Sequence, residues 1–352
     1  LQGLAAETFV ARRFVVGGRR LDRAATLVHV ARNLNRERHV NARRVAAAWG
    51  MIAVLASSAQ AQQPITVLTG GMSGVYYPLG VTIAKIYADI PDSQVQVQTT
   101  DGSVENLARL QQGDAQLGFA LGDALQDAWN GNDEAGFSGR LNRLRVIGAI
   151  YPSLVQIVAT KASGIRTLAG LKGKTLSVGA ARSGTELNAR AILVAADLGP
   201  LDVRRVLDKS FAESIELMIK QQLDATVQSA GPGVASLREL SEAIEITMVP
   251  VPKRVVRKMG APFTAAVIPA GTYIGQDKAV PTASVMNYLV TSSAVSDELA
   301  YQMTKMVFDS LPELAIAHLA GREIKLANAA NPCAVPLHSG AIRYYREKGL
   351  MK

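Results

Sequence analysis

One cysteine, Cys333, is present in 352 residues. No disulfide can therefore form within the chain, and a cysteine-stapled fold is excluded. Histidine is almost as scarce, with only His318 and His338 beyond residue 61. Neither stands in a His-Glu-x-x-His or Cys/His spacing, so the sequence predicts no metal site, and it offers no motif for a cofactor. No apolar run beyond residue 61 is long enough to span a bilayer. The most glycine-rich loop, Thr69-Gly70-Gly71-Met72-Ser73-Gly74, lacks the Gly-Lys-Ser/Thr ending of a P-loop. Its glycines also miss the i, i+2, i+5 spacing of a dinucleotide fingerprint. No nucleophile, acid–base pair or metal set with catalytic spacing is visible, so no catalytic residue is assigned.

Positive charge is present but unevenly placed. The chain carries 38 basic and 29 acidic residues, a net +9. Residues 1–61 hold ten Arg, no Lys and three acids, which leaves 28 basic and 26 acidic residues for the rest. The remainder is nearly neutral and gives no footprint for nucleic acid. Within the basic segment, Arg43-Arg44 precedes the apolar run Val45–Ala56 and the small-x-small triplet Ala59-Gln60-Ala61. That order is the tripartite pattern of a secretory signal peptide over residues 40–61, cleaved near Ala61 and leading to the periplasm. Residues 1–39 have no place in such a signal. They are expected to be a disordered extension, or to lie upstream of a true start near Val40.

The remaining 290 or so residues exceed one usual core, so two lobes are expected. Strand-like runs at 65–68, 95–99, 116–120 and 146–150 alternate with helical patterns at 79–90, 104–112 and 123–129. This alternation predicts an α/β fold with a mostly parallel sheet. Two extended runs, 154–160 and 283–291, are expected to pair as a two-strand hinge. They divide the chain into lobe I (64–153 and 288–352) and lobe II (154–287). The segment 250–275, rich in Pro, Gly and basic residues, reads as an irregular excursion.

Two strand–loop–helix junctions stand out. Ile65–Leu68 empties through the first glycine loop towards Tyr76 and Tyr77, and Thr175–Val178 runs through Gly179-Ala180-Ala181-Arg182-Ser183-Gly184-Thr185. A helix N-terminus leaves backbone N–H groups unpaired and carries a partial positive charge, so each junction is an anion cup. Two cups in an α/β chain point to a cleft that grips a small acid from both sides. Ser103 reads as the N-cap of the helix after Gly102, at the ligand-binding edge of the sheet. Arg182 is placed to form a bidentate bond to a carboxylate, or else is a solvated loop arginine. Gln228, ending a later strand, is a candidate for reading an amino, amide or hydroxyl group.

The segments TGGMSGVYYPLG (69–80), DGSVENLARLQQGDAQLGFAL (101–121), GIRTLAGLKGKTLSVGAARSGTELNAR (164–190) and IPAGTYIGQD (268–277) resemble the TAXI family of solute receptors. Those receptors serve tripartite ATP-independent periplasmic (TRAP) transporters. The likeness spans residues 64–350, and VPLHSGAIRYYREKG (335–349) agrees in character. It implies a type II periplasmic-binding-protein fold, no catalysis, and delivery of a solute such as glutamate, glutamine, a dicarboxylate or a 2-oxoacid to a membrane permease. Matched positions are Thr69, Ser73, Tyr76, Tyr77 and Ser103 in lobe I, and Ser183, Gly184 and Thr185 in lobe II. Gly74 adds backbone to the first cup. The sequence departs from the family pattern at Ala181-Arg182, at Leu121-Gly122-Asp123 and at Val227-Gln228-Ser229. A monomer is expected. A sensing module with the same clamshell, or an enzyme on the same scaffold, are the alternatives.

Overall fold

The computed structural model describes residues 63–199, 201–206 and 209–352. The expected signal peptide (40–61) and the segment before it (1–39) lie outside the described residues.

Each parallel strand ends in a short loop and a helix, as a βαβ alternation requires. β1 (Gln63–Leu68), α1 (Tyr76–Tyr87), β2 (Ser93–Gln98), α2 (Ser103–Gln112), β3 (Leu117–Leu121) and α3 (Gly122–Asn130) come first. β4 (Leu144–Thr160) then leads into β5 (Thr175–Ser177), α4 (Gly184–Ala195), β6 (Arg204–Val206), α5 (Phe211–Ile219), β7 (Ala225–Ala230), α6 (Ala235–Ala243) and β8 (Ile246–Val249). α7 (Lys253–Met259), β9 (Thr264–Ile268) and β10 (Val280–Ser292) follow, and then α8 (Asp297–Asp309), α9 (Leu311–Ala317), α10 (Leu326–Ala329) and α11 (Ser339–Glu347).

The strands form one sheet in the order β2-β1-β3-β10-β4-β7-β5-β6, with β8 against β4 and β9 against β10. β1 pairs in parallel with β2 and β3, and β5 in parallel with β6 and β7. Between these halves run β4 and β10, antiparallel to each other, with Ser284 opposite Leu154 and Ser292 opposite Leu144. β4 begins beside β10 and ends beside β7, where Leu154 faces Ala230 and Ala159 faces Ala225. Both long strands therefore belong to both halves.

Three sequence expectations need correction. The runs at 146–150 and 154–160 are one strand, not two. Pro152 interrupts the pattern but not the strand, because it falls before β7 joins at Leu154, where β10 is the strand partner and a missing donor is tolerated. The hinge pairing exists but in another register: 283–291 lies against 145–154 and not against 154–160, which is taken by β7 and β8. The segment 250–275 is not irregular, since it holds α7 and β9, and β9 pairs with β10.

The β4–β10 crossing is fixed by one buried amide. The register against β4 shifts between Met286 and Tyr288, so Asn287 has no register partner on β4 and pairs only with Leu121 of β3. Its Nδ2 donates to the Tyr151 carbonyl and the Ser153 hydroxyl, both at 2.8 Å. Its Oδ1 accepts the Tyr76 hydroxyl at 2.6 Å. Asn287 is fully buried, so water does not compete for these bonds. Apolar packing then closes around the crossing. One cluster joins Ile65, Leu79, Phe119, Ile147 and Leu289 to Leu237 and Leu240, and another gathers Val155, Leu176, Ile192 and Val227.

Asn287→Ala is expected to cost about 2–4 kcal/mol, because it takes the amide partner from the buried Ser153 hydroxyl and the Tyr151 carbonyl. Urea unfolding measures it; a loss under about 0.5 kcal/mol would show that the crossing does not depend on this amide.

Candidate functional site

A cavity of about 90 Å³ opens where the parallel strands end. Open α/β sheets place ligands at that edge. The β1–α1 loop supplies Gly70, Gly71, Ser73, Gly74 and Val75, and the β2–α2 loop supplies Thr100, Asp101 and Gly102. Ala180, Ser183, Gly184 and Thr185 come from the β5–α4 junction, and Ser210 and Phe211 from the start of α5. Tyr76, Ser103, Leu121, Tyr151, Ser229 and Ala230 complete the wall.

Four helix N-termini, those of α1, α2, α4 and α5, thus meet one cavity. Each contributes partial positive charge and backbone N–H groups. No Lys, Arg or His is among the described lining residues; the ionisable carboxylate is Asp101. Hydroxyls dominate the polar lining: Ser73, Thr100, Ser103, Ser183, Thr185, Ser210, Ser229 and two tyrosines. Side-chain caps close α4, where Ser183 accepts from the Glu186 N–H, and α5, where Ser210 and Glu213 form a capping box. No side chain caps α1 or α2. The α1 and α2 termini are the ones whose N–H groups stay uncapped by side chains, and no acid stands in the first turn of α1.

The structure brings together Ser73, Gly74, Tyr76, Ser103, Ser183, Gly184 and Thr185, seven of the sequence candidates. Ser103 is not the N-cap; Gly102 is, at φ 122°. The Ser103 hydroxyl instead accepts the Leu121 N–H at 3.1 Å, tying α2 to the end of β3. Tyr76 stacks on Phe119, with 4.9 Å between ring centroids, and burial pushes its phenol well above the ordinary value.

Four candidates lie elsewhere. Thr69 is fully buried; its hydroxyl donates to the Gln98 carbonyl, and its own carbonyl accepts from Asn106. It builds the loop and does not line the cavity. Tyr77 is half-buried outside the wall. Arg182 is exposed with φ 60°, and what it brings to the site is its carbonyl, which accepts the Glu105 N–H at 3.3 Å. Gln228 points to the other face of β7, where its Oε1 accepts from Ser236. Its neighbour Ser229 faces the cavity, as strand alternation demands. Tyr151, Ser210, Phe211, Thr100 and Ser229 were missed. Alternation would have found Ser229, whereas Tyr151 sits in an apolar run with no local signal.

The reactive groups have structural partners. The Cys333 thiol donates to the Val335 carbonyl, and burial raises its pKa. His318 and His338 each accept a backbone N–H, from Ala320 and Gly340, at helix or turn starts.

The two halves touch around the cavity. A Cβ on Gly184 would lie 2.7 Å from both Leu121 Cδ1 and Ser103 Oγ. Behind this contact, Asn188 of α4 donates to the Asp123 carboxyl of α3 and accepts from Ser229. Asp123 Oδ1 has no partner. Burial, and to a lesser degree the nearby Asp127, push this carboxyl up to about 7 against the pull of its backbone and Asn188 hydrogen bonds.

The NMT1-like family model matches residues 67–349. Among solved structures, the periplasmic binding protein BugD aligns with a TM-score of 0.53 at 10% identity, over 82% of this chain and 94% of that one. A structure described as a periplasmic transporter gives 0.52 at 9% identity, over 83% and 95%. These likenesses show a shared fold.

Asp123 gives a pH dependence with a definite sign. Between the ordinary carboxyl range and about 7, the folded chain holds a proton that the unfolded chain has lost, so stability falls as pH rises through that window. From pH 5 to pH 8 this group is expected to remove about 2–3 kcal/mol. Asp123→Asn keeps an oxygen for Asn188 and should flatten the dependence by that amount. Equal slopes in urea titrations of variant and wild type would contradict it.

Proposed function

We propose that this chain, which belongs to the NMT1-like family, is a periplasmic solute receptor that captures a small organic acid and passes it to a membrane permease. The observation that carries the reading is the convergence of four helix N-termini on a hydroxyl-lined cavity with no cationic side chain among its described walls. Backbone N–H groups hold an anion there without a guanidinium. A preorganised ring of donors suits a carboxylate that must be released intact, because affinity is set by many weak contacts and not by one buried ion pair.

The solute class is a glutamate- or glutamine-like acid, a dicarboxylate or a 2-oxoacid, and the cavity of about 90 Å³ suits a compact solute. Residues 64–153 with 288–352 act as one lobe and 154–287 as the other. Closure moves them about β4 and β10, bringing Gly184 onto Ser103 and Leu121. Ligand contacts made from both lobes shift the equilibrium towards the closed form. The permease is of the TRAP type, a reading supported by the motif resemblance, and the protein works as an exported monomer without catalysis.

Gly184→Ala tests closure. Its added methyl meets two side chains of the facing half at 2.7 Å, so the variant is expected to bind about tenfold or more weakly while unfolding near the wild-type midpoint. Thermal-shift and calorimetric titration of residues 62–352 against amino acids, dicarboxylates and 2-oxoacids provide the affinities. Absence of binding by the wild-type chain to any such acid would sink the receptor reading. Undiminished binding by the variant would sink the closure geometry alone.

A further inference from the structure

The four helix starts around the cavity are not equivalent. Those of α1 and α2, in the half built on β1, have no side-chain cap. Those of α4 and α5, in the half built on β5, are capped by Ser183 and by the Ser210–Glu213 box. Each of the capped pair also has an acid in its first turn, Glu186 and Glu213. A cap occupies part of the N–H set, and an acid at that end offsets its partial positive charge. Lys209, the residue before Ser210, is itself paired with Glu213 at 3.4 Å. Ser229 gives its proton to Asn188. The side of the cavity formed by the β5 half is therefore poorly equipped for a carboxylate.

That side presents apolar surface instead. Phe211, the first residue of α5, lines the cavity together with Ala180 and Ala230. Phe211 packs on the edge of the main core cluster and stays partly accessible. Two of its ring carbons would lie 3.9 Å from a Cβ on Gly74, so the ring reaches across to the β1–α1 loop. The start of α5 does not require an aromatic there, because Ser210 and Glu213 make the capping box between them. A carboxylate set against this wall would lose hydration with no cation among the described lining residues to replace it. An alkyl group set there gains from leaving water. The cavity thus has one anionic pole, at α1 and α2, and one apolar pole, at Phe211.

We propose that the solute is an acid with a single carboxylate and a compact apolar tail, such as a branched-chain 2-oxoacid, and that Phe211 is the residue that selects the tail. This rests on the reading of the cavity as an acid-binding site.

The test is titration calorimetry of wild-type, Phe211→Ala and Phe211→Leu chains with two matched pairs: 4-methyl-2-oxopentanoate against 2-oxoglutarate, and leucine against glutamate. Each pair shares an acid head and differs in an isopropyl or a carboxylate end. Wild type is expected to favour the isopropyl member by about tenfold or more in at least one pair. Phe211→Ala should lower that ratio about tenfold, and Phe211→Leu, which keeps an apolar side chain, should retain it. Equal affinities or a preference for the carboxylate member in both pairs would overturn the proposal, and this reading needs no variant to fold. A ratio unchanged in Phe211→Ala would overturn the assignment to Phe211. Binding of other acids but of none of these four would also overturn it. Binding of no acid at all would instead remove the acid-binding reading beneath it.

Discussion

The antiparallel pairing of β4 with β10 is the constraint on which the rest depends. A parallel sheet built from βαβ units propagates outward from its own strands, and each half here does so around β1 and β5. Two such halves share a sheet only if some strand belongs to both. β4 spans 17 residues and β10 spans 13, long enough to pair within one half and continue into the other. Asn287 fixes the crossing, and through Tyr76 it fixes the first helix of the site as well. The loops at the strand ends of both halves are thereby aimed at one cavity, and Tyr151 meets that cavity from the crossing strand itself.

The electrostatics of the cavity follow from this arrangement. An isolated helix N-terminus attracts an anion by only about 0.3–1 kcal/mol when exposed. Several of them meeting over a largely closed space act in a lower dielectric, where each counts for more. Serine and threonine hydroxyls extend the donor set without adding net charge. Such a site discriminates by geometry and by the number of acceptors a solute offers, not by charge alone. The contacts made around it, Gly184 against Ser103 and Glu105 N–H to the Arg182 carbonyl, join the two halves at its rim.

Much of this was legible in the sequence where local chemistry is strong. Gly and Ser between a β-type run and a helical pattern announce a strand–helix junction, which is why Ser73, Gly74, Ser103, Ser183, Gly184 and Thr185 were found. What escaped was tertiary. Pro152 looks like a strand break until one knows that β7 joins two residues later. Gln228 reads as a candidate from its amide alone, but a period of two puts it on the face of β7 opposite to Ser229, which lines the cavity. Arg182 was attractive as the cation in an anion cup, but a left-handed backbone at φ 60° leaves its carbonyl, and not its guanidinium, at the contact. Tyr151 carries no local mark at all; it meets a cavity assembled from segments more than a hundred residues apart.

The central claim is that helix N-termini, and not a cationic side chain, hold the solute's carboxylate. A crystal structure of residues 62–352 with a bound acid tests it most directly. Carboxylate oxygens are expected within hydrogen-bond distance of backbone N–H groups at the starts of α1 and α2. A carboxylate paired with the Arg182 guanidinium, or a solute seated outside this cavity, would contradict it.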